Sequence, residues 1–160
     1  MRPTDKIKID PELQPDPDRL AFDLDRALSS LVLVHSKIPE RGFTALTLGA
    51  ERIGHGVLIR EDGLILTIGY LIVEAEIVWL LDNRGQAIQA HVVGYDQETG
   101  FGLVQALNPL DIPVMEIGSS DTFQPGDTVI LAGHGGREAA ISAHVISKKE
   151  FAGYWEYLLD

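Results

Sequence analysis

From residue 31 onward the chain is written in short apolar runs with a two-residue alternation, each closed by turn-forming residues. Leu31–Ile38, His55–Ile59, Leu64–Thr67, Glu76–Leu81, Ala87–Tyr95, Gly102–Leu107, Asp127–Gly133 and Ala139–Ser147 all have this character, and Thr44–Leu48 alternates loosely. Period-two alternation rich in Val, Ile and Leu marks strands, because successive side chains point to opposite faces of a sheet. Glu61-Asp62-Gly63 and Asp82-Asn83-Arg84-Gly85 separate two pairs of runs, and a short loop ending in glycine predicts a hairpin. Pro125-Gly126 predicts a further turn, since proline presets the second turn position and glycine tolerates the third. Seven or eight short strands with frequent turns predict an all-β barrel or sandwich.

The N-terminal stretch departs from this pattern. Residues 1–18 are polar and carry Pro3, Pro11, Pro15 and Pro17, which reads as an irregular arm. Asp16-Pro17-Asp18 is a helix-start signal, and Leu20, Leu24 and Leu28 recur every four residues. A short helix running to about Ala27 is expected there. Residues 19–150 are expected to form one barrel domain, and 151–160 a linker or the first strand toward a second barrel. Tyr154, Trp155 and Tyr157 in that last segment are candidate contact residues.

Composition narrows the chemistry. The 160 residues contain no cysteine, which removes disulfides, thiolate metal sites and cysteine nucleophiles. Thirteen Lys and Arg against 24 Asp and Glu leave a formal charge of -11, so the surface repels phosphate backbones and anionic lipid. No nucleic-acid or membrane partner is expected. The first residues lack the apolar core of a signal peptide, and the most apolar stretch is interrupted by Gly69, Glu74 and Glu76. A cytoplasmic location is expected on that basis.

Five histidines are the obvious titratable candidates. His91 and His144 fall inside strand runs, where a packed or surface role is the default. His55 sits between two glycines, and His134 lies in the glycine-rich run Gly133–Gly136, so these two are the weak functional candidates. No histidine spacing supports zinc, and the loop lacks the glycine pattern and lysine of a phosphate cradle, so no cofactor or metal is expected. Asp96 and Glu98 fall on a turn-like segment, and Ser119-Ser120-Asp121 reads as turn chemistry.

The order of several small motifs resembles the first barrel of trypsin-like serine proteases, in the bacterial Deg/HtrA branch. The matching residues are Gly54, Gly56 and Val57, Asp62-Gly63, Ile65-Leu66-Thr67, Asn83-Arg84-Gly85, Val93-Gly94, Asp96 and Thr99. Gly118, Ser120-Asp121, Gly126-Asp127, Val129 and Gly133 continue the likeness, which covers Gly54 to about Ile146. The resemblance implies a six-stranded antiparallel chymotrypsin/trypsin-like barrel. It also implies where a triad would stand. The family's histidine falls on Tyr70, its aspartate on Gly100, and the motif that carries its serine has no counterpart before Asp160.

Acyl transfer by serine needs a base that titrates near neutrality and an acid that orients it. A phenol ordinarily titrates near ~10, and glycine has no side chain to orient anything. The expectation is a catalytically inactive, serine-protease-like domain acting as a protein-binding or structural module. Its partner would be a protein or peptide, or a second copy meeting the face that would contact a second barrel. The alternative is a fragment of a trypsin-like serine endopeptidase whose nucleophile lies beyond residue 160.

Overall fold

The computed structural model describes residues 9–149. Six of the alternating runs close into an antiparallel barrel: β1 (Leu31–Lys37), β2 (Glu51–Leu58), β3 (Leu64–Ile68), β4 (Ile77–Leu81), β5 (Ala87–Tyr95) and β6 (Phe101–Ala106). Around the barrel the strands run β1-β2-β3-β6-β5-β4, so β1 is hydrogen-bonded to both β2 and β4 and no edge is left open. In this register Val34 lies opposite Gly54 on one side and Leu80 on the other.

The inward phase of each strand makes the core. Val32, Val34, Leu58, Ile65, Val78, Leu80, Ile88 and Val104 are buried and packed on one another. A one-turn helix, α3 (Gly69–Ile72), closes one end by driving Leu71 and Ile72 into that core. Two glycines of β2 face the same interior because nothing larger fits: a Cβ at Gly56 would lie 2.6 Å from Ile65 Cγ2, and one at Gly54 would overlap Leu71 Cδ1. Gly63 turns the β2–β3 hairpin at φ +90°, a conformation L side chains rarely adopt. In β5 the register against β6 shifts between Val92 and Gly94, a bulge next to the turn that carries Gly100.

The last two described strands stand outside the ring. β7 (Thr128–Ala132) pairs only with β8 (Ala140–His144), as a two-stranded ribbon. Of the 19–150 span read as one barrel, the closed ring therefore accounts for Leu31–Ala106. The ribbon packs on the barrel through a second cluster in which Ala140 meets Leu24 and Leu28, with Leu20, Leu31 and Ile130 at its margin.

Two elements differ from expectation. The helix expected from Pro17 to about Ala27 is split. Asp16 caps a single 3-10 turn, Pro17–Arg19, and the α-helix α1 spans Leu24–Ser29 under its own cap, Asp23, which accepts the Arg26 amide at 3.0 Å. Two separate aspartate caps outcompete one longer helix. Thr44–Leu48 is not extended: Ala45–Leu48 forms the short helix α2, stopped at Gly49. The alternation there is real in sequence but has no strand partner to satisfy its backbone. Tyr154, Trp155 and Tyr157 lie outside the described residues.

Candidate functional site

The end of the barrel closed by α3 joins the segments that carry Tyr70 and Gly100. Tyr70 rides on α3 between the exposed Ile68 and the buried Leu71, and is itself exposed. Gly100 ends the β5–β6 turn at φ +75°. The Gly69 amide donates to the Gly100 carbonyl at 2.7 Å, so the two segments are joined through the residue preceding Tyr70. A Cβ at Gly69 would meet Tyr95 Cβ at 3.2 Å and that same carbonyl at 3.3 Å, which keeps the junction close. The turn below Gly100 is self-satisfied. The Asp96 carboxylate accepts from the Thr99 hydroxyl at 2.5 Å and the Thr99 amide at 3.0 Å, and the Gly100 amide returns to the Asp96 carbonyl at 2.9 Å. The Thr99 hydroxyl, more than any other contact, holds the Asp96 carboxyl below its ordinary range. Asp96 is consumed by its turn and makes no carboxylate pair with Glu98.

Beneath Tyr70 lies a charge that the motif reading passed over. Arg52 falls on the inward phase of β2, in step with Gly54, Gly56 and Leu58, and is only 3% exposed. Its guanidinium donates to the carbonyls of Gly49 at 3.0 Å, Tyr70 at 2.6 Å and Val73 at 3.1 Å, and to the Thr44 hydroxyl at 2.7 Å. Glu74 completes the knot. Its carboxylate accepts from the Phe43 amide at 2.8 Å, the Thr44 amide at 2.6 Å and the Thr44 hydroxyl at 2.5 Å. These bonds, the Thr44 hydroxyl first, lower the Glu74 carboxyl, and burial lowers the Arg52 guanidinium against the pull of Glu74. The effect is to fix the turn that presents Tyr70 and the loop that presents Phe43. A charged residue on the buried phase of an alternating strand was the available signal, visible once β2 is phased by its glycines.

The two weak histidine candidates also meet, at the opposite side of β2. The His134 amide donates to His55 Nδ1 at 3.0 Å, and His134 Nε2 donates to the Asp82 carbonyl at 3.0 Å. Gly133 lies flat on the His55 ring, where a Cβ would sit 2.9 Å from Cε1 and Nε2. This is a docking contact between the ribbon and the barrel. His35 sits on β1 between Ile53 and Trp79, His91 is exposed on β5, and His144 ends β8 facing the Thr128 hydroxyl at 3.4 Å. The Ser119 hydroxyl accepts the Asp121 amide at 3.2 Å and caps a 3-10 turn, as turn chemistry requires. Among the described residues no group of three or more His, Asp or Glu is arranged to hold a metal ion.

A family model described as the trypsin-like peptidase domain matches residues 54–159. The chain belongs to the trypsin-like peptidase family. Its relatives include the probable periplasmic serine endoprotease DegP-like of Pseudomonas fulva (strain 12-X), 29% identical over 102 residues, covering 62% of this chain and 21% of that protein. The putative serine protease HhoB of Synechocystis is 30% identical over 95 residues, covering 59% of this chain and 23% of its own length. Among solved structures, the HtrA-type protease AlgW with tripeptide aligns over 78% of this chain and 38% of its own, with a TM-score of 0.62 at 19% identity. A serine endoprotease from Yersinia pestis aligns over 71% of this chain and 39% of its own, with a TM-score of 0.54 at 24% identity. The Deg/HtrA resemblance and the six-stranded trypsin-like barrel are thus borne out.

This trypsin-like barrel spans about a fifth of the length of the curated relatives it matches. The expected cytoplasmic location is corrected, because the matched relatives include proteins named periplasmic endoproteases. The physical reason is that the absence of cysteine neither requires nor forbids an exported location, so composition carries no address.

Proposed function

We propose that this trypsin-like barrel is proteolytically inactive and serves as a protein-binding or structural module. One observation carries the reading. The segments that bear Tyr70 and Gly100 are hydrogen-bonded through Gly69 at 2.7 Å, which supports reading these two residues, matched to the family's histidine and aspartate by motif order, as parts of one site. A phenol and a glycine in those places supply neither base nor orienting carboxylate. The fold survives the loss because the Arg52–Glu74 knot and the core, not the triad, hold this end of the barrel.

A binding role is supported by the loop that the knot secures. Phe43 and Leu46 are 91% and 94% exposed, on a segment pinned at Phe43 and Thr44 by Glu74. Two large apolar side chains exposed on one loop with a pinned backbone support a contact surface there. We place the protein in the periplasm by analogy with the relatives named for that compartment. The reading is tested by assaying the natural-length protein against fluorescent casein. It predicts no hydrolysis above the protein-free blank. Hydrolysis blocked by a serine-directed inhibitor would replace it with the endopeptidase reading, in which the nucleophile lies beyond residue 160.

A further inference from the structure

The ribbon meets the barrel through a loop, residues 133–139, which also receives the Ile9 amide at the Glu138 carbonyl at 2.8 Å. The His134 amide is received by His55 Nδ1 at 3.0 Å, and the Gly135 amide by Asn83 Oδ1 at 2.8 Å. Asn83 is itself held by donating to the Leu28 carbonyl at 2.9 Å. His134 Nε2 reaches the Asp82 carbonyl at 3.0 Å, and Arg137 forks onto Asp25 of α1 at 2.6 Å through both Nε and Nη2. One of these ties is unlike the rest. An imidazole nitrogen accepts a hydrogen bond only while it carries no proton. The His55 ring therefore has to be neutral, with its proton on Nε2, for the loop to dock as seen.

We propose that His55 and His134 form a proton-sensitive latch, which holds the 133–139 loop and its ribbon on the barrel at neutral pH and releases them in acid. Protonation of His55 Nδ1 sets an N–H against the His134 N–H, two donors face to face. It also places a cation beside the second imidazole.

The surrounding charges do not rescue the protonated form. Asp82 Oδ1 is taken up by its own turn, accepting the Arg84 amide at 2.9 Å and the Gln86 amide at 2.8 Å, while Oδ2 is buried without a hydrogen bond, with Arg84 Nε 3.5 Å away. Asp25 is neutralised by Arg137. β1 contributes the apolar Leu33 opposite His55, and β3 contributes the Thr67 hydroxyl, which donates to the His55 carbonyl at 2.8 Å. Burial first, and His134 second, depress the His55 titration, in the direction the latch needs. The sign follows by linkage. The loose state takes up the proton more readily, so docking is complete above the ordinary histidine range and is lost as pH falls through the lowered value. Release would uncover Ala140, Leu24 and Leu28 and widen the groove of about 570 Å³ between α1 and β7.

The test is amide exchange by NMR on the full 160-residue chain, corrected for the intrinsic pH dependence of exchange. Protection at the His134 and Gly135 amides should fall as pH drops below about 6.5, approaching tenfold per pH unit, the limit for one linked proton. His55→Asn keeps an acceptor that cannot titrate, and its protection should stay flat over the same range. A flat wild-type profile, or an equal slope in His55→Asn, overturns the latch. The wild-type His55 titration decides the matter independently of any variant. A midpoint below that of an unperturbed histidine side chain, ~6.5, supports the latch, and one at or above it overturns it.

Discussion

Arg52→Met is the most informative single change in this barrel. Methionine keeps the apolar stem that packs beneath α3 and removes only the guanidinium. Three backbone carbonyls, those of Gly49, Tyr70 and Val73, and the Thr44 hydroxyl then lose their charged donor. A hydrogen bond to a charged group contributes ~1.5–3 kcal/mol net. The four are not additive, because Gly49 is exposed and water can replace the donor there. A loss of ~3–5 kcal/mol is expected, about two such bonds' worth at the Tyr70 and Val73 carbonyls, since Glu74 is exposed and stays hydrated. For a chain of this size ~1 kcal/mol moves the melting temperature by about 2–4 °C, so a fall of ~6–20 °C should follow. Urea unfolding followed by circular dichroism measures it, with an unchanged urea slope as the check that both states keep their surface. A loss below ~1 kcal/mol would mean that the guanidinium is a passenger and that the Tyr70 turn is held by Leu71 and Ile72 alone.

Three further outcomes follow from the same geometry. Gly100→Ala forces a side chain into φ +75° and should cost ~1–2 kcal/mol, and a neutral result in the urea titration would contradict the left-handed turn. Gly54→Ala should cost ~1–3 kcal/mol by overpacking Leu71, and less on a Leu71→Ala background; full additivity in the double-mutant cycle would refute that contact. Glu74 has its carboxyl lowered by the Thr44 hydroxyl, then by the Thr44 and Phe43 amides, with Arg52 adding to the effect. The unfolded chain therefore takes the proton first. The contribution of Glu74 is complete above the ordinary glutamate range and lost as pH falls through the lowered value. The wild-type urea midpoint should drop more steeply than that of Glu74→Gln between about pH 5 and pH 3, and parallel curves would remove Glu74 from the knot.

The barrel was legible because its signal is local. Alternation in Leu31–Lys37 or Ala87–Tyr95 needs no distant partner to be read, and Gly63 marks its hairpin by itself. Helix limits were less legible. Leucines four apart suggested one continuous helix, but Asp23 is a second cap, and capping competes with propensity over so few residues. Thr44–Leu48 alternates like a strand and forms α2, because strand identity is settled by pairing that sequence alone does not display. Tyr70 and Gly100 are singled out by motif order alone, while Arg52 was missed because it belongs to no motif. Its role comes from carbonyls contributed by Gly49, Tyr70 and Val73, which only the folded chain brings to one point. The meeting of His55 with His134 across 79 positions was equally beyond local reading.

The central claim is that the chemistry of the family is gone while its barrel remains. Fluorophosphonate labelling of the natural-length protein, isolated from its own cells and run beside an active trypsin-like protease, tests this most directly. No labelled band is predicted for this protein even at high probe concentration, since a serine without base or orienter does not react at an enzymic rate. A saturable label on a serine, lost on denaturation, would contradict it and would mean that a working nucleophile stands beside this barrel.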